Sequence, residues 1–252
     1  MRNCILTDLR RVFRKKSFII CMSIILLLMI IGLIVIFVHP FKDGVDSTYS
    51  IMMSLAMFFN PFLIGIPVFS AIYTDDFKSK SMQTALGFGI SRNKMIMSRF
   101  LEALFMVVEC IIFLSVMLLI FGLAGGVSMS EIGETVLEIW IDSFQTIGFL
   151  ALALIIVYGT QKPTMGLVLF ILLSAGVFAT LIEALSLIPA LKKHDIDPEK
   201  YLPTGVIVKI SDLADKGDYL KAVGPAFLFL IFYVALPVWI SMRLFRKKEL
   251  EF

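Results

Sequence analysis

Residues 74–99 read TDDFKSKSMQTALGFGISRNKMIMSR. This is a polar, net basic stretch between two apolar runs, and the side of a membrane it occupies decides the topology. Thr74 is a candidate N-cap, with Asp75 and Asp76 where negative charge favours a helix start. Phe77 to Leu86 contains no proline or glycine, and Gly87 offers a stop. After Gly87-Phe88-Gly89, Ser91 can cap a second helix that enters the next apolar run without a breaker. The expected layout is a short helix, a glycine hinge and a long helix driven into a bilayer. Such a surface can receive a push from a partner, and the same residue types also suit a plain basic loop.

The flanking composition fixes the solvent. Of 252 residues 59% are hydrophobic and 17% charged, and mean hydropathy is +0.93. A soluble domain carries about 25% charged residues, so this chain belongs to lipid. Uncharged runs such as Ser17–Val38 and Ala222–Met242 reach the roughly 20 residues that a spanning helix needs. The expected fold is an all-α polytopic membrane protein forming one transmembrane domain. Six spans are expected at 17–38, 52–73, 100–122, 139–158, 164–187 and 223–244. The 17–38 run is too long for a signal-peptide core and reads as a retained span.

Charge then sets orientation. With both termini cytosolic, sixteen of the 23 Lys and Arg residues fall on the inner side, every arginine among them, and seven lysines on the outer. The positive-inside rule selects this arrangement. Residues 74–99 thereby become a cytosolic segment between spans 2 and 3. The net charge of +3 follows from orientation and gives no reason to expect nucleic acid as a partner.

Several residues stand out along the chain. Residues 3–14 place Ile5, Leu6, Leu9, Val12 and Phe13 on one face beside Arg10, Arg11 and Arg14. They suit an amphipathic elbow helix on the inner leaflet, or simple positive anchoring. Asn60-Pro61 and Pro67 predict a bend in the second span. Glu102 and Glu109 share a face of the third span and are the candidate pathway residues. Arg99 at i−3 suits Glu102 as an ion-pair partner. Glu109 is deeper, where an ionised carboxylate costs about 2.5–3.5 kcal/mol, so it is a candidate pathway residue or an interhelical hydrogen-bonding group. Ser128 to Glu131 forms a capping-box pattern. Beyond it Glu131, Glu134, Glu138, Asp142 and Gln145 recur every three or four residues, an acidic stripe expected on the outer side. That stripe suits a vestibule for cationic cargo or a solvated helix face. Residues 188–222 read as a small outer cap with a short helix at 211–219.

The catalytic inventory is thin. There is no GxxxxGK[ST] phosphate loop, HExxH or GxSxG, and the histidines are His39 and His194 alone. No catalytic residue, metal ligand or cofactor held by this chain is expected. Cys4, Cys21 and Cys110 lack metal spacing.

The order of spans, the basic amphipathic start, the polar segment after span 2 and the long outer segment after span 5 resemble the permease subunits of ATP-binding-cassette exporters. The family is that of the type V exporter fold, with drug, peptide and bacteriocin exporters and immunity transporters. The local match is Tyr73 to Arg99. Asp75, Asp76, the Leu86–Gly89 turn, Ser91-Arg92, Lys94 and Arg99 are similar to the family's coupling segment, while Ser81-Met82 replaces its usual Gly-Thr. The resemblance implies a non-catalytic, multi-pass subunit of the bacterial cytoplasmic membrane. It also implies separate P-loop ATPase subunits that hold ATP and Mg, and a second permease half, identical or homologous. Phe77, Met82 and Leu86 would be the apolar contacts to the ATPase, with Asp76 at the helix start and Lys78, Lys80 and Arg92 at the rim. The runner-up is an ion- or proton-coupled carrier using Glu109.

Overall fold

The computed structural model describes residues 60–74, 77, 86–186 and 198–247, together with positions 19, 23, 27, 30, 31 and 34. The elbow helix expected at 3–14, residues 75–76 and 78–85, and the first part of the outer cap lie outside the described residues. Among the described residues every regular element is helical. Within the 17–38 run the six positions are helical and exposed. Their three- and four-residue spacing puts them on one face.

Seven helices organise the rest. They are α1 (Pro61–Thr74), α2 (Arg92–Gly125), α3 (Met129–Thr160), α4 (Pro163–Ser174), α5 (Val177–Ser186), α6 (Pro203–Asp215) and α7 (Tyr219–Lys247). By length and composition α2, α3 and α7 can each cross a membrane, and the bent pair α4–α5 makes a fourth candidate. Arg92, Lys162, Arg246 and Lys247 gather at one end of the bundle, called here the basic end. The far end carries Glu131, Glu134, Asp215 and Asp218.

The helix boundaries have local causes. α2 stops at Gly126, whose φ of 77° is open to glycine without a Cβ clash. Val127 N–H then donates to Gly122 O at 2.9 Å, closing the end in the Schellman manner. Ser128 caps α3, its side chain accepting from Glu131 N–H at 3.3 Å, as the capping-box spacing predicts. Gln161 in the left-handed region ends α3, and Pro163 opens α4 at a position where its missing N–H costs nothing.

Pro67 and Pro237 are accommodated by widening the helix beside them, whereas Pro225 sits within regular α-helix. π turns occupy Pro61–Gly65, Ser70–Thr74 and Leu230–Ala235, flanking Pro67 and preceding Pro237. A proline cannot donate to the i−4 carbonyl and its ring pushes against it, and a wider turn relieves both.

α3 is the hub, packing against α1, α2, α4, α6 and α7. Its buried side, from Thr146 through Leu150, Leu154 and Tyr158, holds the core together. α2 is apolar on both sides. Met106, Val107 and Leu118 are buried, whereas Phe105, Ile112, Val116 and Ile120 are exposed, the pattern of a helix packed on one side and lipid-covered on the other.

Two features depart from the sequence reading. The run expected as one span at 164–187 breaks at Ala175-Gly176, and α4 and α5 meet at 58°. Gly176 takes φ 69°, a backbone turn its lack of a Cβ makes cheap. The helix expected at 211–219 instead starts at Pro203 and ends before Gly217 (φ 73°), because Pro203 supplies an N1 start. α6 then runs back along α3 and α7. Tyr233 Oη of α7 donates to Tyr201 O, so the residues just before α6 sit against the middle of α7, not above its far end.

Candidate functional site

The Leu86–Ser91 turn is built from its glycine. Gly89 takes φ 82° and donates its N–H to Leu86 O at 2.9 Å. The stop thus falls two residues beyond Gly87, because Gly89 is the residue that turns left-handed. Ser91 has extended backbone angles at the N-cap of α2, without a side-chain cap bond. Phe88 sits at the tip with 83% of its surface exposed.

Below the tip the turn is tied to the bundle. Arg92 Nη1 donates to Phe245 O at 2.8 Å and to Arg246 O at 3.4 Å, and its guanidinium lies 5.5 Å from the centre of the Phe245 ring. A cation there also suits the negative end of α7's dipole. Phe245 packs edge-on to Tyr158 at 5.2 Å, and Phe77 lies 6.3 Å from Tyr158. Residues of α2, α3, α7 and the chain following α1 therefore converge on one aromatic cluster. Phe77 and Leu86, expected as apolar contacts for a partner, are partly buried against the bundle core. Asp76, Lys78, Lys80 and Met82 lie outside the described residues. Phe88, which the sequence reading passed over, is the exposed aromatic at the tip.

Of the two acids in α2, Glu102 is 1% exposed and accepts from Arg99 Nη1 at 2.7 Å. The i, i+3 pairing is the one the spacing predicts, but it is buried. Glu109 is half-buried, and its Oε2 is buried with no hydrogen-bond partner.

The acidic stripe grades from surface to interior. Glu131 and Glu134 are exposed, and Glu138 and Asp142 are half-buried. Glu138 lies just outside the span expected at 139–158. Burial pushes its carboxyl above the usual carboxylate range, and the negative charges of Asp215 and Glu134 push it further. The stripe ends in a pocket of about 390 Å³ lined by Pro61, Asp142, Gln145, Leu173, Ser174, Ala175, Gly176 and Thr204. At about 1.5 Å per residue, Gln145 and Asp142 sit about 22 and 27 Å along α3 from Thr160. The α4–α5 break and the start of α6 thus open a polar recess well inside the bundle.

One polar atom of the recess wall, Ser174 Oγ, is buried without a hydrogen bond. So are Oδ1 and Nδ2 of Asn60, the residue preceding the wall residue Pro61. Asn60 is 2% exposed. Buried polar atoms are normally satisfied, so the orphaned Ser174 Oγ on the wall marks a place where a ligand or water completes the bonding. Ser174 and Thr204 carry no local signal in the sequence. The break that places them rests on one glycine inside an apolar run.

Among the described residues no group of His, Cys, Asp and Glu is arranged to hold a metal ion. Compared with known proteins, the chain matches no family model, and no curated protein matches it.

Proposed function

We propose that this chain is the membrane-spanning subunit of an ATP-driven exporter. It would have six transmembrane helices, both termini cytosolic, and residues 74–99 as the segment that engages a separate P-loop ATPase. ATP and Mg belong to that partner, and a second permease half, identical or homologous, completes the pathway in the bacterial cytoplasmic membrane. The cargo is a peptide, antibiotic or amphipathic small molecule. One observation carries the reading: Phe88 projects from a tight turn that continues into the 34-residue α2 and is tied through Arg92 to the end of α7. A load applied at that tip is shared by two long helices, because the turn has no slack to absorb it.

The test is co-purification and coupled hydrolysis. Phe88→Asp changes an exposed side chain, so expression and helix content should hold within error. Capture of a P-loop ATPase and cargo-stimulated ATP hydrolysis should fall at least about tenfold, the equivalent of about 1.4 kcal/mol. Wild-type protein that captures no ATPase, or a Phe88→Asp variant that couples normally, refutes the assignment.

The second reading is a carrier coupled to an ion or proton gradient. It is favoured by the unpartnered Oε2 of Glu109 inside α2. It requires nucleotide-independent transport that Glu109→Gln abolishes. Transport that survives collapse of the ion gradients while ATP is present excludes it.

A further inference from the structure

We infer that the recess walled by Asp142, Gln145, Ser174 and Thr204 is a binding site for an amphipathic organic amine. The inference deepens the export reading and rests on it for calling that ligand cargo. The charge argument comes first. Asp142 has no lysine or arginine partner among the described residues, and none lines the recess. A carboxylate set inside a helical bundle without a counter-charge favours a cationic occupant.

Shape and hydrogen bonding narrow the class. A volume of about 390 Å³ lies in the range of small-molecule sites. Pro61, Leu173 and Ala175 offer an apolar wall, while Gln145, Ser174 and Thr204 present oxygens that accept from N–H donors. A primary ammonium can donate three hydrogen bonds and a quaternary one none, so a protonated amine with an apolar body fits best. Glu138 and Glu134 continue the same stripe towards the far end, where Glu131 and Glu134 are exposed. They form a graded negative approach for a cation.

The experiment uses the full chain purified in detergent, without nucleotide. Its probe is dansylcadaverine, a primary amine carrying an aromatic body. N-pentyldansylamide, which lacks the amine, is the comparator, and empty micelles set the partition background. Saturable binding is expected for the amine alone. Asp142→Asn should weaken it at least about tenfold, Thr204→Val should weaken it to a smaller extent, and Lys162→Gln, at the opposite end of the bundle, should leave it unchanged. Equal binding of the neutral comparator overturns the proposal, as does unchanged affinity in Asp142→Asn. If that variant does not fold, Ser174→Leu, which fills the recess, decides, and unchanged affinity there is equally fatal. Amine binding by a chain that captures no ATPase sinks the export reading and leaves this site standing. ATPase coupling without amine binding does the reverse.

Discussion

Replacing Gly166 by alanine tests how α4 is seated on α3, and hence how the recess is held open. A Cβ at this position would lie 2.3 Å from Val157 Cγ2, 3.1 Å from Phe69 Cζ and 3.2 Å from Ala153 O. All three neighbours are fully buried. None can step aside cheaply, because valine is stiff at χ1 and the Ala153 oxygen belongs to the backbone of α3. Overpacking costs about 1–3 kcal/mol, and so close a contact with a stiff side chain belongs to the upper part of that range, about 2–3 kcal/mol. Alanine recovers about 0.8–1 kcal/mol of helix propensity relative to glycine. The net expectation is a loss of about 1–2 kcal/mol, which for a chain of this size lowers Tm by about 2–8 °C.

A double-mutant cycle makes the reasoning sharper. Val157→Ala removes the clashing methyl at a cost of about 2 kcal/mol from lost burial and the void left behind. In the Gly166→Ala background the new methyl occupies that void. The double variant should therefore be more stable than the sum of the single changes by at least about 1 kcal/mol. Thermal unfolding of the detergent-purified chain, followed by circular dichroism, provides the readout. Gly133→Ala is the control, since nothing lies within 4 Å of its Cβ, and it should leave Tm unchanged or slightly raised. A Gly166→Ala protein as stable as the parent, or strict additivity in the cycle, would refute this picture of the α3–α4 contact.

Two further outcomes follow from the buried charges. Arg99→Met removes the guanidinium that donates to the buried Glu102 carboxylate at 2.7 Å and should lower stability, whereas Arg99→Met with Glu102→Leu should recover most of that loss; thermal unfolding of the two variants separates these cases. For Glu138 the folded protein holds its proton more tightly than the unfolded chain does. Its contribution is most favourable at pH values below about 4.5 and is lost as pH rises from there through its raised folded value. Glu138→Gln should raise Tm at neutral pH and flatten that part of the Tm–pH curve, and an unchanged curve would contradict the assignment.

The parts of the fold that could be read in advance are those written locally. α2 and α3 follow from uncharged runs bounded by Ser91, Gly126, Ser128 and Gln161, each acting within one turn of itself. The Arg99–Glu102 pair follows from a three-residue spacing. Its burial does not, because burial depends on Tyr73 and the rest of α1 packed alongside. The break at Gly176 escaped because a glycine in an apolar run looks the same whether it continues a helix or turns left-handed. Asp142 was legible as the end of an acidic stripe. Its companions were not, since Pro61, Ser174 and Thr204 come from segments scores of residues apart and meet only once α6 folds back along α3. At residues 74–99 the segment itself was legible, but not which aromatic would face outward. Phe77 and Phe88 are equally apolar, and the turn alone decides between them.

The 58° break between α4 and α5 has a consequence for hydration. A helix that starts anew leaves its first amides without carbonyls from a preceding turn, and one that stops leaves its last carbonyls bare. Hydrocarbon cannot satisfy those groups, so irregular backbone survives at membrane depth only beside protein or a wet cavity. The recess lined by Gly176 is where the open amides can meet water, and those from Val177 to Ala179 should exchange with deuterium faster than those of the unbroken stretch around Leu150.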